Sequence, residues 1–438
     1  MSHFNSSPLL TSNFQYLQQM ESESLISEIK LSTVVPASIT EEDKAHHQFT
    51  AMDLAMKLHY INTVHFFGGD AAAGLSIQDL KAPMFPWLQL YYPICGRIRR
   101  HDGGRPFIKC NDSGVRIVEA KCSKTVEEWL AVIDSVDYHR QLVYHQPLME
   151  HELGFTPLVF LQITRFKCGG ISLGMRWAHI LGDAFSASEC INTWSRIMSN
   201  QNVPSSHRIN SPTTIQQLAT SPSSCRSLKL LDPPLGDNWL TPNNFQMQTH
   251  TFHISEKKLS NLLTKNKYKV TPFEVISAVI WKSIAKTRGN KIIIVCKKSD
   301  KLDYDLLGNT HQVIGTVEAK EIEVIRDVDF LEIAKMIGED FVDETNVIEK
   351  QVEEGSGNGD FVVYGSNLTF VDLEEVKLWG LEINGRGPIF ANVSIGGVGD
   401  GGSVVVVKNG GGITVNAILR DYELEHLKYE LRVEYDIL

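Results

Sequence analysis

Residues 157–166 and 171–177 are two apolar runs parted by Lys167-Cys168-Gly169-Gly170, and the pattern then changes to helical spacing at Ala187, Cys190, Ile191, Trp194, Ile197 and Met198. Two strands joined by a tight turn and followed at once by a buried helix restrict the chain to layered α/β structure. On the second run Ile171, Leu173, Met175 and Trp177 share one face, and Arg176 and Ala178 the other. Ser186 and Glu189 have the Ser-x-x-Glu spacing of a capping box at the helix start.

Between that strand and helix lies Ala178-His179-Ile180-Leu181-Gly182-Asp183-Ala184. A histidine held between two rigid elements, with an ordinary pKa near ~6.5, can take a proton from a hydroxyl or amine at cellular pH. The carboxylate of Asp183 can orient the ring or cap the helix. The same spacing also suits a hydrogen-bonded core histidine beside a plain helix cap. His179 and Asp183 are thus the candidate catalytic pair, with the structural reading open beside it.

A chain of 438 residues exceeds one ordinary core, so two domains of similar weight are expected. A net charge of -10 without a clustered basic face argues against nucleic acid as a partner. Arg97-Ile98-Arg99-Arg100 is the densest basic cluster and reads as a solvated strand end. No Lys or Arg precedes Lys30, and the Ser-, Gln- and Asn-rich start reads as a disordered arm over residues 1–28, not as a secretory signal or transit peptide. No apolar run approaches the ~18 residues that span a bilayer, so membrane contact is expected only indirectly. The seven cysteines are scattered without a Cys-x-x-Cys pair and are expected reduced, in a cytosolic compartment. No metal spacing, Walker sequence or nucleophile elbow occurs. Gly397, Gly399 and Gly402 satisfy Gly-x-Gly-x-x-Gly, but the strand-like Val404-Val405-Val406-Val407 follows where a phosphate loop needs a helix. A hairpin turn is expected there.

Elsewhere, residues 29–36 and 110–120 read as strands, 50–60 as a capped helix, 76–90 as a helix interrupted at Pro83 and Pro86, and 126–134 as a helix. Residues 201–240 turn Ser/Pro-rich, and 201–245 form the expected crossover between a domain over 29–200 and another over 246–438. The second half restarts with a strand at 249–254 and a helix at 259–264, then a helix opened by Thr271-Pro272-Phe273-Glu274. Strands are expected at 291–296, 361–364, 368–371, 390–395, 403–408 and 412–417.

Ala51-Met52-Asp53, Leu90-Tyr91-Tyr92-Pro93-Ile94-Cys95-Gly96-Arg97, residues 114–120, residues 157–194 and Pro272-Phe273-Glu274-Val275-Ile276-Ser277-Ala278 stand in an order that resembles the plant BAHD acyl-CoA-dependent acyltransferases. The likeness runs from Leu31 to the end of the chain. It implies two chloramphenicol-acetyltransferase-like α/β domains with mixed sheets, joined by a long crossover loop, and a solvent channel through their interface. It also implies that His179 deprotonates an acceptor attacking a CoA thioester, while Asp183 turns away from substrate and holds the loop. No permanently bound cofactor is implied; acyl-CoA is the co-substrate or ligand.

The departures from that pattern are informative. Ala184 stands where glycine usually follows the aspartate. The signature Asp-Phe-Gly-Trp-Gly falls on Glu382-Ile383-Asn384-Gly385-Arg386, and its arginine partner on Cys296-Lys297-Lys298. Losing both members avoids the ~3–5 kcal/mol cost of one buried charge left alone. A contact between Glu382 and Lys298 is the expected substitute, though lysine lacks the arginine fork. Arg386, Lys297 and Lys298 are candidates for CoA phosphates, with solvated surface as the alternative.

Residues 31–38, 52–60, 177–183 and 365–371 narrow the resemblance to the Eceriferum and Glossy wax proteins. That branch implies an accessory factor for very-long-chain fatty acid elongation in cuticular wax biosynthesis, acting with a ketoacyl-CoA synthase at the cytosolic face of the endoplasmic reticulum or in the cytosol. Two alternatives stand beside it: an active acyl-CoA-dependent O- or N-acyltransferase using His179 as general base, and an acyl-CoA-binding module that delivers substrate.

Overall fold

The computed structural model describes residues 25–101, 104–131, 141–145, 153–203, 208–209, 225–263, 268–289, 291–300, 303, 306–355 and 357–437. Residues 1–24 of the expected arm lie outside the described residues, as do 204–207 and 210–224 of the crossover and 132–134 of an expected helix. The principal strands are β1 (Ile26–Val34), β2 (Tyr60–Phe67), β3 (Val115–Cys122), β4 (Val159–Phe166), β5 (Ile171–Ala178), β6 (Met247–Ser255), β7 (Ile292–Lys298), β8 (Gln312–Glu318), β9 (Thr369–Asp372), β10 (Phe390–Gly396), β11 (Ser403–Asn409) and β12 (Gly412–Arg420).

A six-stranded sheet runs β1-β3-β4-β5-β2-β10, antiparallel except between β3 and β4. A seven-stranded sheet runs β6-β12-β11-β9-β7-β8 and ends on Val342–Asp343, with parallel pairs where β9 meets β11 and β7. Both sheets are mixed, and the α/β class expected from the sequence is the one observed.

Periodicity explains how the two layers stack. In β11, Val405 and Val407 join Ile294 and Cys296 of β7 in the core shared with the first half. Val404 and Val406 point the other way, with Ile293 and Val295, against the helix Pro272–Ala285. A run of four valines is therefore a strand buried on both faces.

Several expectations are corrected. The expected hairpin around residues 397–402 does not form, because β10 pairs with β2 in the first sheet while β11 pairs with β9 and β12 in the second. That glycine-rich turn is a passage between sheets. The helix expected over 50–60 ends at Ala55, although Thr50 and Asp53 do form its capping box, and Tyr60 opens β2. The β-branched and aromatic content of Tyr60–Phe67 favours the strand. The strand expected over 110–120 is divided, since Asp112 (φ 52°) and Gly114 (φ 77°) turn the chain between Pro106–Lys109 and β3. The first strand begins at Ile26, inside the expected arm. Arg97 is buried rather than solvated, and its guanidinium donates to the carbonyls of Gly96 (2.8 Å), Gly114 (3.0 Å) and Phe155 (3.1 Å). Among the described residues no helix is long and apolar enough to cross a membrane.

Candidate functional site

Strand β5 ends at Ala178, and a single 3-10 turn, His179–Leu181, leads to the helix Ala184–Met198. Gly182 is required between them: its φ is 152°, and a Cβ there would lie 2.8 Å from the Ser186 Cβ and 3.0 Å from the Gly308 carbonyl oxygen. The turn is anchored from both sides. The His179 N–H donates to the His59 carbonyl (3.0 Å), and Asn309 Nδ2 donates to the His179 carbonyl (2.9 Å) and to Asp53 (2.8 Å).

The His179 imidazole is wholly buried. Its Nε2 lies 3.0 Å from the Tyr364 hydroxyl, and among the described residues its Nδ1 has no hydrogen-bond partner. Burial lowers the His179 pKa, against the opposite pull of the Asp183 charge, and burial likewise holds the Tyr364 phenol well above its ordinary value. Both groups are neutral at cellular pH. Behind them, His59 Nδ1–H donates to the Gly397 carbonyl (2.9 Å), while its Nε2 accepts from the N–H groups of Val363 (3.1 Å) and Tyr364 (3.3 Å). Burial, then the neighbouring His179, push the His59 pKa down to about 3.

Asp183 caps the helix and accepts from the N–H groups of Phe185 and Ser186, both at 3.1 Å. The expected box of Ser186 and Glu189 is absent, because the Ser186 hydroxyl donates instead to Gly308 (2.9 Å). The second Asp183 oxygen accepts from the His311 N–H (2.9 Å), and His311 Nδ1 lies 3.1 Å from the carboxylate. His311 Nε2 donates to the Asp303 carbonyl (2.8 Å), so both ring nitrogens face acceptors and the ring is an imidazolium. Burial alone would depress the His311 pKa, but the Asp183 hydrogen bond and charge outweigh it and the net shift is upward.

His179 and Asp183 therefore sit on one connection but engage different partners: a phenol for the first, a buried histidinium for the second. Tyr364, His59, Asn309 and His311 escape sequence reading, since each reaches the turn from a distant segment. The only hint was His59, inside the segment Met52-Asp53-Leu54-Ala55-Met56-Lys57-Leu58-His59-Tyr60.

The remaining candidates disperse. The expected contact between Glu382 and Lys298 does not form, because Lys298 is paired with Glu375 on the loop after β9. The Lys297 ammonium stands 3.8 Å from the centroid of the Phe341 ring, and Arg386 pairs with Asp70 at 3.0 Å. These three cations engage three separate segments. Of the candidates, His179 is held in a buried, neutral cluster with Tyr364 and His59, apart from these cations.

The family described as the Transferase family matches residues 26–299. The chain is 38% identical to Protein ECERIFERUM 2 of Arabidopsis thaliana, over 93% of this chain and 98% of that protein. It is 38% identical to Protein ECERIFERUM 26-like of the same plant, over 95% and 97%. In fold it is similar to the crystal structure of vinorine synthase, with a TM-score of 0.69 and 17% identity over 93% of this chain and 98% of that one. It is also similar to F. graminearum TRI101 complexed with coenzyme A and deoxynivalenol, with a TM-score of 0.69 and 15% identity over 89% and 98%. With the family model matched over residues 26–299 and relatives matched over more than nine-tenths of its length, the chain belongs to the BAHD transferase family, alongside the ECERIFERUM proteins.

Proposed function

We propose that this chain is an accessory factor for very-long-chain fatty acid elongation in cuticular wax biosynthesis, acting beside a ketoacyl-CoA synthase on a scaffold whose transferase chemistry is dispensable. Acyl-CoA is its ligand, and its place is the cytosolic face of the endoplasmic reticulum, reached through the partner. The observation that carries this reading is the Tyr364 hydroxyl at 3.0 Å from His179 Nε2, on a ring and an imidazole that are both buried. A general base must reach the proton it takes within hydrogen-bond distance. Here that position is filled by the protein's own phenol, and burial further weakens the imidazole as a base.

The test is co-expression with a ketoacyl-CoA synthase in a host that makes shorter acyl chains, with product length as the readout. Wild type and His179→Ala are both expected to extend the chain-length range. Loss of extension in His179→Ala, at wild-type protein level, overturns the proposal. The acyltransferase reading is separated by offering purified protein acyl-CoA with a broad panel of alcohols and amines. No transfer is expected; transfer that falls ~10²- to 10⁴-fold in His179→Ala would establish that reading instead.

A further inference from the structure

The two sheets meet around a cavity of about 350 Å³ whose wall includes Arg176 of β5, Asn62 of β2 and Thr249 of β6, together with Val143, Met247, Val398 and Ile418. The size falls within the ~300–1,000 Å³ of small-molecule sites. Its unusual member is Arg176, which is 5% exposed. The Arg176 guanidinium lies 3.7 Å from the centroid of the Tyr60 ring, which supplies a cation–π contact but no counter-charge. Among the described residues no carboxylate pairs with it, and its Nε, like the Asn62 Oδ1, is buried without a hydrogen-bond partner. Burial draws its pKa below the ordinary arginine value, yet a guanidinium stays protonated in proteins. A permanent positive charge in a buried wall, facing open volume, is stabilised by an anion entering that volume.

We propose that this cavity binds the carboxylate of a small amphiphilic acid, with Arg176 as its counter-ion. Among the described residues Arg176 is the one permanent charge of the wall, so a single negative charge balances it. The planar fork of arginine matches a carboxylate through two parallel hydrogen bonds. Val143, Met247, Val398 and Ile418 offer the apolar surface a short hydrocarbon needs. A phosphate dianion would meet too few cations and too much hydrocarbon here. The cavity touches the back of the His59 cluster at Gly397, but His179 is not among its lining residues, and the proposal stands whether or not the accessory reading holds.

Isothermal titration of the purified full chain tests this with octanoate, 1-octanol and inorganic phosphate as probes. Saturable binding of one octanoate per chain is expected, with neither octanol nor phosphate competing. Arg176→Gln is expected to weaken octanoate at least tenfold. Thr249→Trp, which fills the cavity and leaves Arg176 in place, should weaken it comparably. If Arg176→Gln does not fold, Thr249→Trp and the probe panel decide. Failure of octanoate to bind wild type, equal binding by octanol, tighter binding by phosphate, or unchanged affinity in Thr249→Trp each overturns the proposal.

Discussion

His311 and His179 show how one residue type takes opposite electrostatic roles on two sides of a single turn. The His311 pKa is raised, so the stability it contributes is fully present below the unfolded value of ~6.5 and is lost as pH rises through the folded value. Wild type is therefore expected to exceed His311→Gln in denaturant stability by most below that value, with the gap closing toward alkaline pH. The difference between the two proteins is the proper readout, because Asp372 and Glu374, pushed up mainly by burial to about 6 and about 7, titrate in the same window. A gap that widens with pH would contradict the imidazolium assignment. Removing the Tyr364 hydroxyl in Tyr364→Phe leaves His179 Nε2 buried without a partner and is expected to cost about 1–3 kcal/mol in urea unfolding. At this scale the sequence shows where His179 and Asp183 stand, since two periodicities meet there. It does not show what they touch, because Tyr364 and His311 are 185 and 128 residues further along and obey no spacing rule.

Among the helices, two N-termini of similar length offer a controlled comparison. The helix Pro272–Ala285 is closed by a reciprocal box of Thr271 and Glu274, legible from Thr271-Pro272-Phe273-Glu274. The helix Ala184–Met198 relies on Asp183, which also neutralises His311. Thr271→Ala should therefore cost only about 0.5–2 kcal/mol, the loss of a cap. Asp183→Ala should cost about 3–5 kcal/mol, because it also strands a buried cation. Equal Tm losses in the two variants would refute the dual role. Strands with an alternating or β-branched pattern, such as β5, β7 and β11, are legible in the same way. Tyr60–Phe67 is not, because the preceding capping box invites a helix that the chain abandons after one turn. The turn at 397–402 misleads for a different reason: adjacent strands usually pair, and here they part to separate sheets.

Across the whole molecule, that parting makes the halves interdependent. β10 lies along β2 from Phe390 opposite Phe66 to Gly396 opposite Tyr60, although its chain neighbours belong to the second sheet. A fragment of residues 1–245 would present β2 as a long, apolar, unpaired edge. It is expected to aggregate, whereas the full chain should unfold in a single cooperative step by circular dichroism. A soluble, folded fragment would contradict this. The class of fold is readable from composition and alternation, while this exchange is not, since it depends on register across more than three hundred residues.

His59 draws these scales together. Its ring and backbone fasten the segments around Gly397, Val363 and His179 to one another, with each nitrogen committed to a fixed role. It acts as a rivet rather than a switch. A guest molecule approaching His179 therefore meets a tyrosine whose own main chain is pinned from behind, so vacating that place demands movement of the whole seam. The amides of Val363 and Tyr364 should accordingly be among the slowest in the protein to exchange with deuterium.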